Sequence, residues 1–424
     1  MQEYKIITLK NGLRLVLVPK TSTEVVTVLI LLGVGSRQET DEVAGISHVL
    51  EHMHFKGTSI RPTGMKIAEF IESLGGEQNA FTGKEYTGYY AKLTPKHLEK
   101  AFDFLSDMLL HSKFDANELS KETDVIVEEL NMYEELPMEV VENKFELIIF
   151  GTNSLGRGII GTKETVKAVD RETLVAYRDK HYYAENAVLV LSGNFGEYSE
   201  EEIKKMADEY FALPSMKPKE QEKIVFPNKK SLNIQKRKTE QSHLIIGFRT
   251  VSPTHPDYFR LELLGTILGG GMSSRMFDEV REKRGLAYAV KTHVLTYQES
   301  GALFTQAGVP HEKIYEAIEA ILSEYKKIKE NRVDEAELNK AKEIIAGRIL
   351  IKFEDSEELA NHYAFETLLM DKVMTPKQII ETYRAISSDE ILEVAKKYLV
   401  DDKMGLSFVG SDIDEEKLNK IFKI

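Results

Sequence analysis

The stretch VVTVLILLGVG, residues 25–35, is almost entirely apolar and predicts a β-strand. Two shorter strand-like runs precede it, KIITL at 5–9 and LRLVLV at 13–18, and Asn11-Gly12 between them predicts a hairpin turn. The elements that follow it are predicted in this order: a helix, a strand pair around 77–93, helices over roughly 95–180, a strand in ENAVLVLSGN at 185–194, and a helix from about 199.

The same order of elements returns in the second half of the chain. The predicted elements there are the strand HLIIGF at 243–248, a helix near 257–268, strands around 286–308, helices over 310–398 and the strand MGLSFVG at 404–410. The strands that begin at Thr27 and His243 are separated by about half the chain, and so are Gly193 and Gly410, which end late strands. Such an offset indicates two copies of one α+β unit, a mixed sheet packed with helices.

The stretch between the two copies is rich in proline and lysine and predicts a linker, residues 215–230. We therefore expect an N-terminal half at 1–214 and a homologous C-terminal half at 231–424. A chain of 424 residues is also too long for one ordinary domain.

The segment HVLEH, residues 48–52, lies in the predicted helix that follows the first strands. Residues four apart share a helix face, so the imidazoles of His48 and His52 can converge on one metal ion. Glu51, next to His52, is placed to act as general base on a metal-activated water. This order of residues is the inverted, HxxEH, zinc motif, and it predicts a zinc-dependent hydrolase.

A catalytic zinc usually takes three protein ligands, so a third must come from elsewhere. Glu129 is the candidate, in the helix-forming segment KETDVIVEELNMYEEL, which begins after Asp115. Glu122 lies about two turns earlier, in a stripe that also includes Val125 and Ile126. Carboxylates on an apolar face are costly unless paired or metal-bound. We expect Glu129 to be the ligand and Glu122 to accept a hydrogen bond that orients a ligand histidine.

These residues carry a family resemblance over the whole chain. HVLEHMHFKGT followed by Glu129 within ETDVIVEE resembles the pitrilysin, or M16, metallopeptidases, and most of all the branch that is similar to mitochondrial processing peptidase. A second motif, GGGMSSRMFDEVREKRGLAYAV, places Arg281 and Tyr288 where this family has an Arg/Tyr pair that binds substrate or the oxyanion. Guanidinium and phenol groups are suitable donors to such an oxygen.

A third motif, GGEQNAFTGKEYTGYYAKL, places Asn79 and Ala80 where the family has edge-strand residues that contact the substrate backbone. An exposed strand edge binds an extended peptide through its main chain, so specificity would be loose. The resemblance also implies a clamshell in which two halves or two subunits enclose a chamber. That chamber would admit unfolded peptides and exclude folded proteins.

The offset between the copies provides a test of the zinc residues within the chain itself. The shift that relates Thr27 to His243 carries the four proposed residues His48, Glu51, His52 and Glu129 onto aliphatic ones: Leu264, Ile267, Leu268 and Ile345. The polar residues of the first copy therefore stand where the second copy has ordinary core residues, which indicates that they serve chemistry.

Composition narrows the class of protein further. The net charge of −13 argues against nucleic acid as a partner and would favour basic peptides. The chain has no cysteine, which excludes disulfides and thiolate metal ligands. The sequence predicts neither a membrane span nor a signal peptide, so we expect a cytoplasmic protein without a membrane partner.

The sequence thus predicts a zinc metalloendopeptidase with one Zn²⁺ per chain, acting on peptides as a homodimer or as a heterodimer with an inactive homologous subunit. Two alternatives stay open: a structural protein of the same fold, and a dedicated presequence processor. Two further sequence features, a histidine and a glycine run, are not expected to bind metal or phosphate. We expect His54 to pack behind the ligands, and Gly269–Gly271 to form a tight turn, because no GxxxxGK[ST] pattern follows.

Overall fold

The computed structural model describes residues 4–217, 223–370, 372–411 and 413–424. The chain divides into two compact units. The first comprises Met1–Asn131, Gly158–Glu222 and Leu350–Thr375, and the second comprises Met132–Arg157, Lys223–Ile349 and Pro376–Ile424. This division differs from the linear one expected from the sequence, because residues 132–157 pack in the second unit and residues 350–375 in the first. Residues 218–222 of the predicted linker lie outside the described residues.

The first unit is built on a six-stranded mixed sheet. Its strands are β1 (Lys5–Thr8), β2 (Arg14–Pro19), β3 (Val26–Leu32), β4 (Glu77–Thr82), β5 (Thr87–Leu93) and β6 (Ala187–Gly193). They lie side by side in the order β1-β2-β6-β3-β5-β4, with β2 and β6 parallel and the other pairs antiparallel. Gly12, at φ 94°, occupies the predicted hairpin turn between β1 and β2, a conformation that favours glycine.

The second unit contains a five-stranded mixed sheet. Its strands are β7 (Ser231–Lys236), β8 (Ser242–Thr250), β9 (Ala289–Tyr297), β10 (Ser300–Val309) and β11 (Met404–Gly410). The order β7-β11-β8-β10-β9 repeats β2-β6-β3-β5-β4 of the first unit, and β7 and β11 are the parallel pair, as β2 and β6 are. The predicted fold class, two copies of a mixed sheet packed with helices, is confirmed. Strand β7 was missed, because its sequence resembles the lysine-rich segment before it.

Helices pack on both sheets. In chain order they are α1 (Ile46–His54), α2 (Gly64–Glu72), α3 (Leu98–His111), α4 (Ala116–Glu135), α5 (Pro137–Phe150), α6 (Lys163–Ala168), α7 (Arg171–His181), α8 (Glu200–Tyr210), α9 (Tyr258–Gly269), α10 (Ile314–Glu330), α11 (Glu335–Lys352), α12 (Ser356–Leu369), α13 (Pro376–Ala385), α14 (Ser388–Tyr398) and α15 (Glu415–Ile421). A π-helix spans Phe277–Lys283.

Both faces of the central strands of the first sheet are buried. Alternate residues of β2 and β3, such as Leu15 and Ile30, pack in the core that includes α1 and α3. The residues between them, such as Val16 and Leu29, pack against α12. The bond between the hydroxyls of Thr27 and Ser356, 2.9 Å, adds a polar tie between β3 and α12. A helix from late in the chain thus completes the core of the first unit.

The second sheet is covered in the same way by an early helix. Helix α5 packs against β8 and β11, and its Phe145 lies 5.1 Å from Phe304 of β10, ring centre to ring centre. The other face of this sheet packs in a core that includes α9, α10 and α14. Each unit therefore receives one covering helix from the opposite half of the sequence.

Helix α1 is held at its N-terminus by groups from elsewhere in the first unit. The residue before it, Gly45, has φ 94° and offers no capping side chain. Instead the buried Glu39 carboxylate accepts hydrogen bonds from the backbone N–H groups of Gly45, 2.7 Å, and Ser47, 2.9 Å. A carboxylate at this end of a helix is favourable, because unpaired N–H groups and the helix dipole both attract negative charge. The start of α1 is therefore fixed in position.

Candidate metal centre

Three side chains from two helices converge in the first unit. The Nε2 atoms of His48 and His52, on α1, lie 3.2 Å apart, and the Glu129 Oε2, on α4, lies 3.9 and 3.8 Å from them. Four tetrahedral ligands at the usual zinc distances lie about 3.3 Å from one another. The triangle is therefore close to the size that a bound zinc ion requires. Within the described residues, this is the one group of histidine and acidic side chains compact enough to hold a metal.

Glu122 and Lys56 fix the orientation of one histidine. His52 Nδ1 lies 2.8 Å from Glu122 Oε1, so this nitrogen donates to the carboxylate and Nε2 is left to face the other ligands. The second oxygen of Glu122 accepts a hydrogen bond from Lys56 Nζ at 2.6 Å. The predicted role of Glu122 corresponds to this contact. Lys56 was missed, because a lysine just beyond a helix end gives no sign of which carboxylate it contacts.

The pKa values of the two histidines shift in opposite directions. Burial, together with the neighbouring His52, lowers the pKa of His48 to about 3, so this imidazole is neutral and able to ligate. Burial opposes protonation of His52, but its hydrogen bond to Glu122 and the charge of Glu51 raise its pKa overall. Burial would raise the pKa of Glu122, yet the hydrogen bonds from His52 and Lys56 lower it. The site therefore favours a positive charge beside these carboxylates.

Glu51 lies on the same helix but outside the triangle. Its Oε2 accepts a hydrogen bond of 2.5 Å from the hydroxyl of Thr82, the last residue of β4. Burial raises the pKa of Glu51, although the Thr82 bond acts in the opposite direction. A carboxylate with a raised pKa beside a metal-sized cluster is suited to accept and return a proton. The contact with Thr82 was not predicted, because it joins two elements that are separate in sequence.

The predicted substrate-contacting residues lie on an edge strand. Asn79 and Ala80 belong to β4, which pairs with β5 on one side and is the last strand of its sheet. The Asn79 side chain accepts a hydrogen bond from the backbone N–H of Ala80, 2.9 Å. Helix α1 packs beside this strand. Glu51 and the edge of β4 are therefore neighbours within the first unit.

Arg281 and Tyr288 lie close together in the second unit. Arg281 belongs to the π-helix, and its guanidinium carbon lies 4.7 Å from the Phe277 ring centre and 4.9 Å from that of Tyr288. Tyr288 precedes β9 and is 81% exposed. These distances are typical of cation–π contacts, which hold the two donors as a pair. The structure thus brings the two together in a unit other than the one that contains the triangle.

Two residues near the triangle take no part in it: His54 packs in the core, and Val125 faces away from the triangle. His54 is fully buried, its Nδ1 lies 2.8 Å from the Leu50 carbonyl oxygen and 3.0 Å from the Tyr89 hydroxyl, and burial lowers its pKa to about 3. This agrees with the packing role expected for it.

Val125 was expected on the buried stripe of α4, yet it is 53% exposed, whereas Ile126 is fully buried. The stripe runs through Leu119, Glu122, Ile126 and Glu129, and Val125 lies to one side of it.

The corresponding helix of the second unit contains no such cluster. Leu264, Ile267 and Leu268 are buried in α9, and Ile345 packs against the same core. The helix positions that the sequence offset relates therefore carry a polar cluster in one unit and aliphatic core residues in the other. Separately, no helix in the described part of the chain is long and apolar enough to cross a membrane.

Comparison with known protein families gives two matches that together span most of the chain. Residues 14–163 match the family described as Insulinase (Peptidase family M16). Residues 168–345 match the family described as Peptidase M16 inactive domain. The first match contains all the residues of the triangle, as well as Glu51, Thr82 and Glu122.

Similar sequences and structures extend over nearly the full length. The "Uncharacterized zinc protease YmxG" of Bacillus subtilis (strain 168) is 35% identical over 395 residues, which is 93% of this chain and 95% of that protein. An uncharacterized zinc protease of Mycobacterium leprae (strain TN) is 31% identical over 426 residues, 98% of this chain and 94% of that protein. The crystal structure of a protease from Helicobacter pylori has a TM-score of 0.89 at 22% identity, and covers 96% of this chain and 99% of its own.

Proposed function

Because the chain belongs to the M16 peptidase family, we propose that it is a zinc-dependent endopeptidase that hydrolyses peptide bonds of unfolded peptides or oligopeptides bound in an extended conformation. The observation that carries the proposal is the triangle of His48, His52 and Glu129, with Glu51 beside it. The relatives named zinc proteases support the same activity. The narrower placement, in the processing-peptidase-like branch, stays a prediction.

In the proposed reaction His48, His52 and Glu129 would hold one zinc ion. Bound zinc supplies Lewis-acid chemistry, polarising a carbonyl group and acidifying water. Neutral His48 would offer a nitrogen lone pair directly, and Glu122 holds the Nδ1 proton of His52 so that Nε2 faces the ion. Because the pKa of His52 is raised, a proton on its Nε2 would have to leave when the ion binds. Lys56 and Glu122 maintain that tautomer through their mutual ion pair.

Glu51 moves the proton in this proposal. Its Oε2 is engaged by Thr82, so the proton of the attacking water passes to the other carboxylate oxygen, Oε1. Glu51 then returns that proton to the leaving amine nitrogen, as general acid. The raised pKa of this carboxyl group supports the first step, because it makes the carboxylate a better proton acceptor.

Two further sets of residues bind the substrate in this proposal. The edge of β4, at Asn79 and Ala80, pairs with the peptide main chain as an added strand. Arg281 and Tyr288 grip the substrate or donate hydrogen bonds to the oxygen that becomes negative in the transition state. Their mutual contact supports a joint role, since the guanidinium of Arg281 lies over the ring of Tyr288.

The assembly is proposed on the family resemblance alone. We propose a homodimer, with a heterodimer containing an inactive homologous subunit as the alternative, in which a closed chamber admits unfolded peptides. Peptides are the proposed partners, with no nucleic acid or membrane partner, and a cytoplasmic location stays a prediction. Native mass combined with metal analysis tests this part, and one zinc per chain in a dimer is the expected outcome.

The substitution Glu51→Gln tests the proposed chemistry. It removes the group that accepts the proton while preserving shape, so we expect zinc content to remain near one per chain while kcat falls at least about 100-fold. Peptide cleavage and metal analysis on the same preparation measure both quantities. Full activity of the variant would remove Glu51 from the mechanism.

Cleavage of a mixed peptide set, with and without a chelator, separates the proposal from its rivals. Many chelator-sensitive cuts are expected for general peptide degradation. One cut at a defined site indicates a presequence processor. No cleavage indicates a structural protein, and would overturn the proposal.

A further inference from the structure

We propose that Thr82 is a positioning residue that fixes the Glu51 carboxylate as a base and keeps it from binding the metal; this inference rests on the function proposed above. Thr82 lies in β4 and Glu51 in α1, so the contact ties the edge strand to the helix that carries the histidines. The hydroxyl has one strong acceptor there, the Oε2 of Glu51 at 2.5 Å.

The position of Thr82 is set by the hairpin that follows it. Thr82 pairs with Thr87 of β5, and the turn between them is closed by a hydrogen bond of 2.8 Å from Gly83 N–H to the Tyr86 carbonyl oxygen. A residue at the base of a tight turn has little freedom to move along the strand. Because threonine is also branched at Cβ, few side-chain rotamers are open to it and its hydroxyl points in a defined direction.

Strand alternation turns Thr82 toward α1. Ala80, two residues earlier, packs against the core that includes α1. Phe81, between them, points to the opposite face, where its ring lies 5.9 Å from Tyr86 and 6.3 Å from Phe365 of α12. Since side chains alternate along a strand, the packing of Phe81 fixes the side on which Thr82 appears.

Glu51 needs the hydrogen bond from Thr82 because its carboxylate lies close to the metal ligands. It lies on the same helix as both ligand histidines, one residue before His52. A carboxylate is also a good zinc ligand, and the site already has three. A glutamate side chain that turned inward would occupy the fourth position, which hydrolysis needs for water.

The observed geometry separates the role of metal ligand from the role of base. In the described residues, the ligand atoms within 4.8 Å of one another come from His48, His52 and Glu129, and Glu51 does not join them. A hydroxyl that donates to a carboxylate makes a charge-assisted bond, which is stronger than a neutral one. The bond from Thr82 therefore holds one oxygen of Glu51 and leaves the other for a proton.

The test compares Thr82→Val, which has the same shape without a hydroxyl, with Thr82→Ser, which keeps the hydroxyl. We expect kcat of T82V to fall about 10- to 100-fold while KM changes less than about 2-fold, because a misplaced base slows the chemical step and leaves binding intact. T82S should retain kcat within about 3-fold of the unmodified chain. Thr82→Ala is the second variant if T82V does not fold.

Thr87→Val is the matched control. Thr87 is the cross-strand partner of Thr82, and its buried hydroxyl donates to the Val34 carbonyl oxygen at 2.8 Å instead of to Glu51. We expect T87V to lower the melting temperature and to leave kcat within about 2-fold of the unmodified chain. If the loss of any hydroxyl in this hairpin lowered kcat through a structural effect, kcat would fall in both T82V and T87V. If Thr82 positions Glu51, kcat falls in T82V and T82A and not in T87V.

Zinc release to a chelator provides a reading independent of activity. If Thr82 keeps Glu51 off the metal, T82V should release zinc about 3- to 10-fold more slowly, because the freed carboxylate becomes a ligand. In the Glu51→Gln background the same substitution should not slow release. This double-mutant comparison isolates the coupling between the two residues.

The outcomes separate this inference from the proposed function. The proposed function is overturned if the unmodified chain binds no zinc, or if it binds zinc and cleaves no peptide. In the second case, the zinc-release experiment still tests the role of Thr82. The inference is overturned if T82V and T82A retain full kcat, if T82S loses as much as T82V, or if zinc release is not slowed in a manner that depends on Glu51.

Discussion

The sequence motif specifies the positions of some side chains in the metal centre. Contacts with elements far away in the chain set the positions of the others. The spacing of His48 and His52 specifies their convergence, since residues four apart share a helix face. Lys56 and Thr82 lie within the zinc motif and the edge-strand motif, but their partners come from α4 and α1. Pattern alone does not reveal such partners, because a hydrogen bond depends on the positions of two separate elements.

The hydrogen bonds that join His52 to Glu122 and Glu122 to Lys56 should control zinc affinity. Glu122→Gln and Lys56→Met each disturb the chain of hydrogen bonds that orients His52 Nδ1, so we expect zinc to bind about 10- to 100-fold more weakly in each variant. Competition with a chelator of known affinity measures this change.

Lys66→Met is the control for the loss of a lysine. Lys66 pairs with Glu69 on the exposed surface of α2, 2.6 Å, and should leave zinc affinity unchanged. Equal affinities in Lys56→Met, Glu122→Gln and the unmodified chain would show that these contacts do not support the ligand.

Secondary elements were predicted best where a local signal marks their ends. The side chain of Asp115 accepts hydrogen bonds from the backbone N–H groups of Asn117, 2.9 Å, and Glu118, 3.2 Å, so the predicted start of α4 is confirmed. Helix α1 lacks a local cap, and its N-terminus is held by Glu39 from an earlier segment. The π-helix that contains Arg281 was not predicted, since a change in helical hydrogen bonding has no simple sequence signal.

At the scale of the element, Gly45→Ala should displace the start of α1. A Cβ at this position would meet the Ile160 carbonyl oxygen at 2.2 Å, and φ is 94°, so the substitution adds a backbone clash to conformational strain. We expect a loss of unfolding free energy of at least about 3 kcal/mol and weaker zinc binding. Denaturant unfolding and chelator competition measure the two effects.

Gly75→Ala is the matched comparison. Gly75 also has a positive φ, 68°, but a Cβ there would meet nothing within 4 Å. The expected cost is the strain alone, about 1 kcal/mol, with zinc affinity unchanged. If the two variants lost similar stability, the close approach of Ile160 would not be what fixes the start of α1.

At the scale of the whole molecule, the chain is a duplication whose copies exchange a covering helix. Residues 350–375 complete the first unit and residues 132–157 the second. The two sheets share one strand order, yet the metal cluster is found in the first alone among the described residues. Duplication thus supplied two similar scaffolds, and only one of them carries the polar residues for chemistry.

The exchange predicts that the linear N-terminal half does not fold alone. A fragment of residues 1–214 lacks α12, so the sheet face formed by Val16, Val18, Leu29 and Leu31 would be exposed. Each such side chain loses about 1.5–3 kcal/mol of burial energy. We expect the isolated fragment to aggregate or to bind a hydrophobic dye, and co-expression with residues 215–424 to restore a folded, zinc-binding complex. Cooperative unfolding of the isolated fragment at the melting temperature of the intact chain would contradict this.

The sequence by itself determined the strand and helix order, the duplication, and the candidate ligands, because each depends on periodicity or on spacing within one element. The family follows from the same motifs and is confirmed by the comparisons. Only the tertiary structure decided that Glu129 meets His48 and His52, that Thr82 engages Glu51, and that α5 and α12 cover opposite copies. The physical reason is that these contacts join segments far apart in the chain. Their formation depends on how whole elements pack, and a local pattern contains no information about that packing.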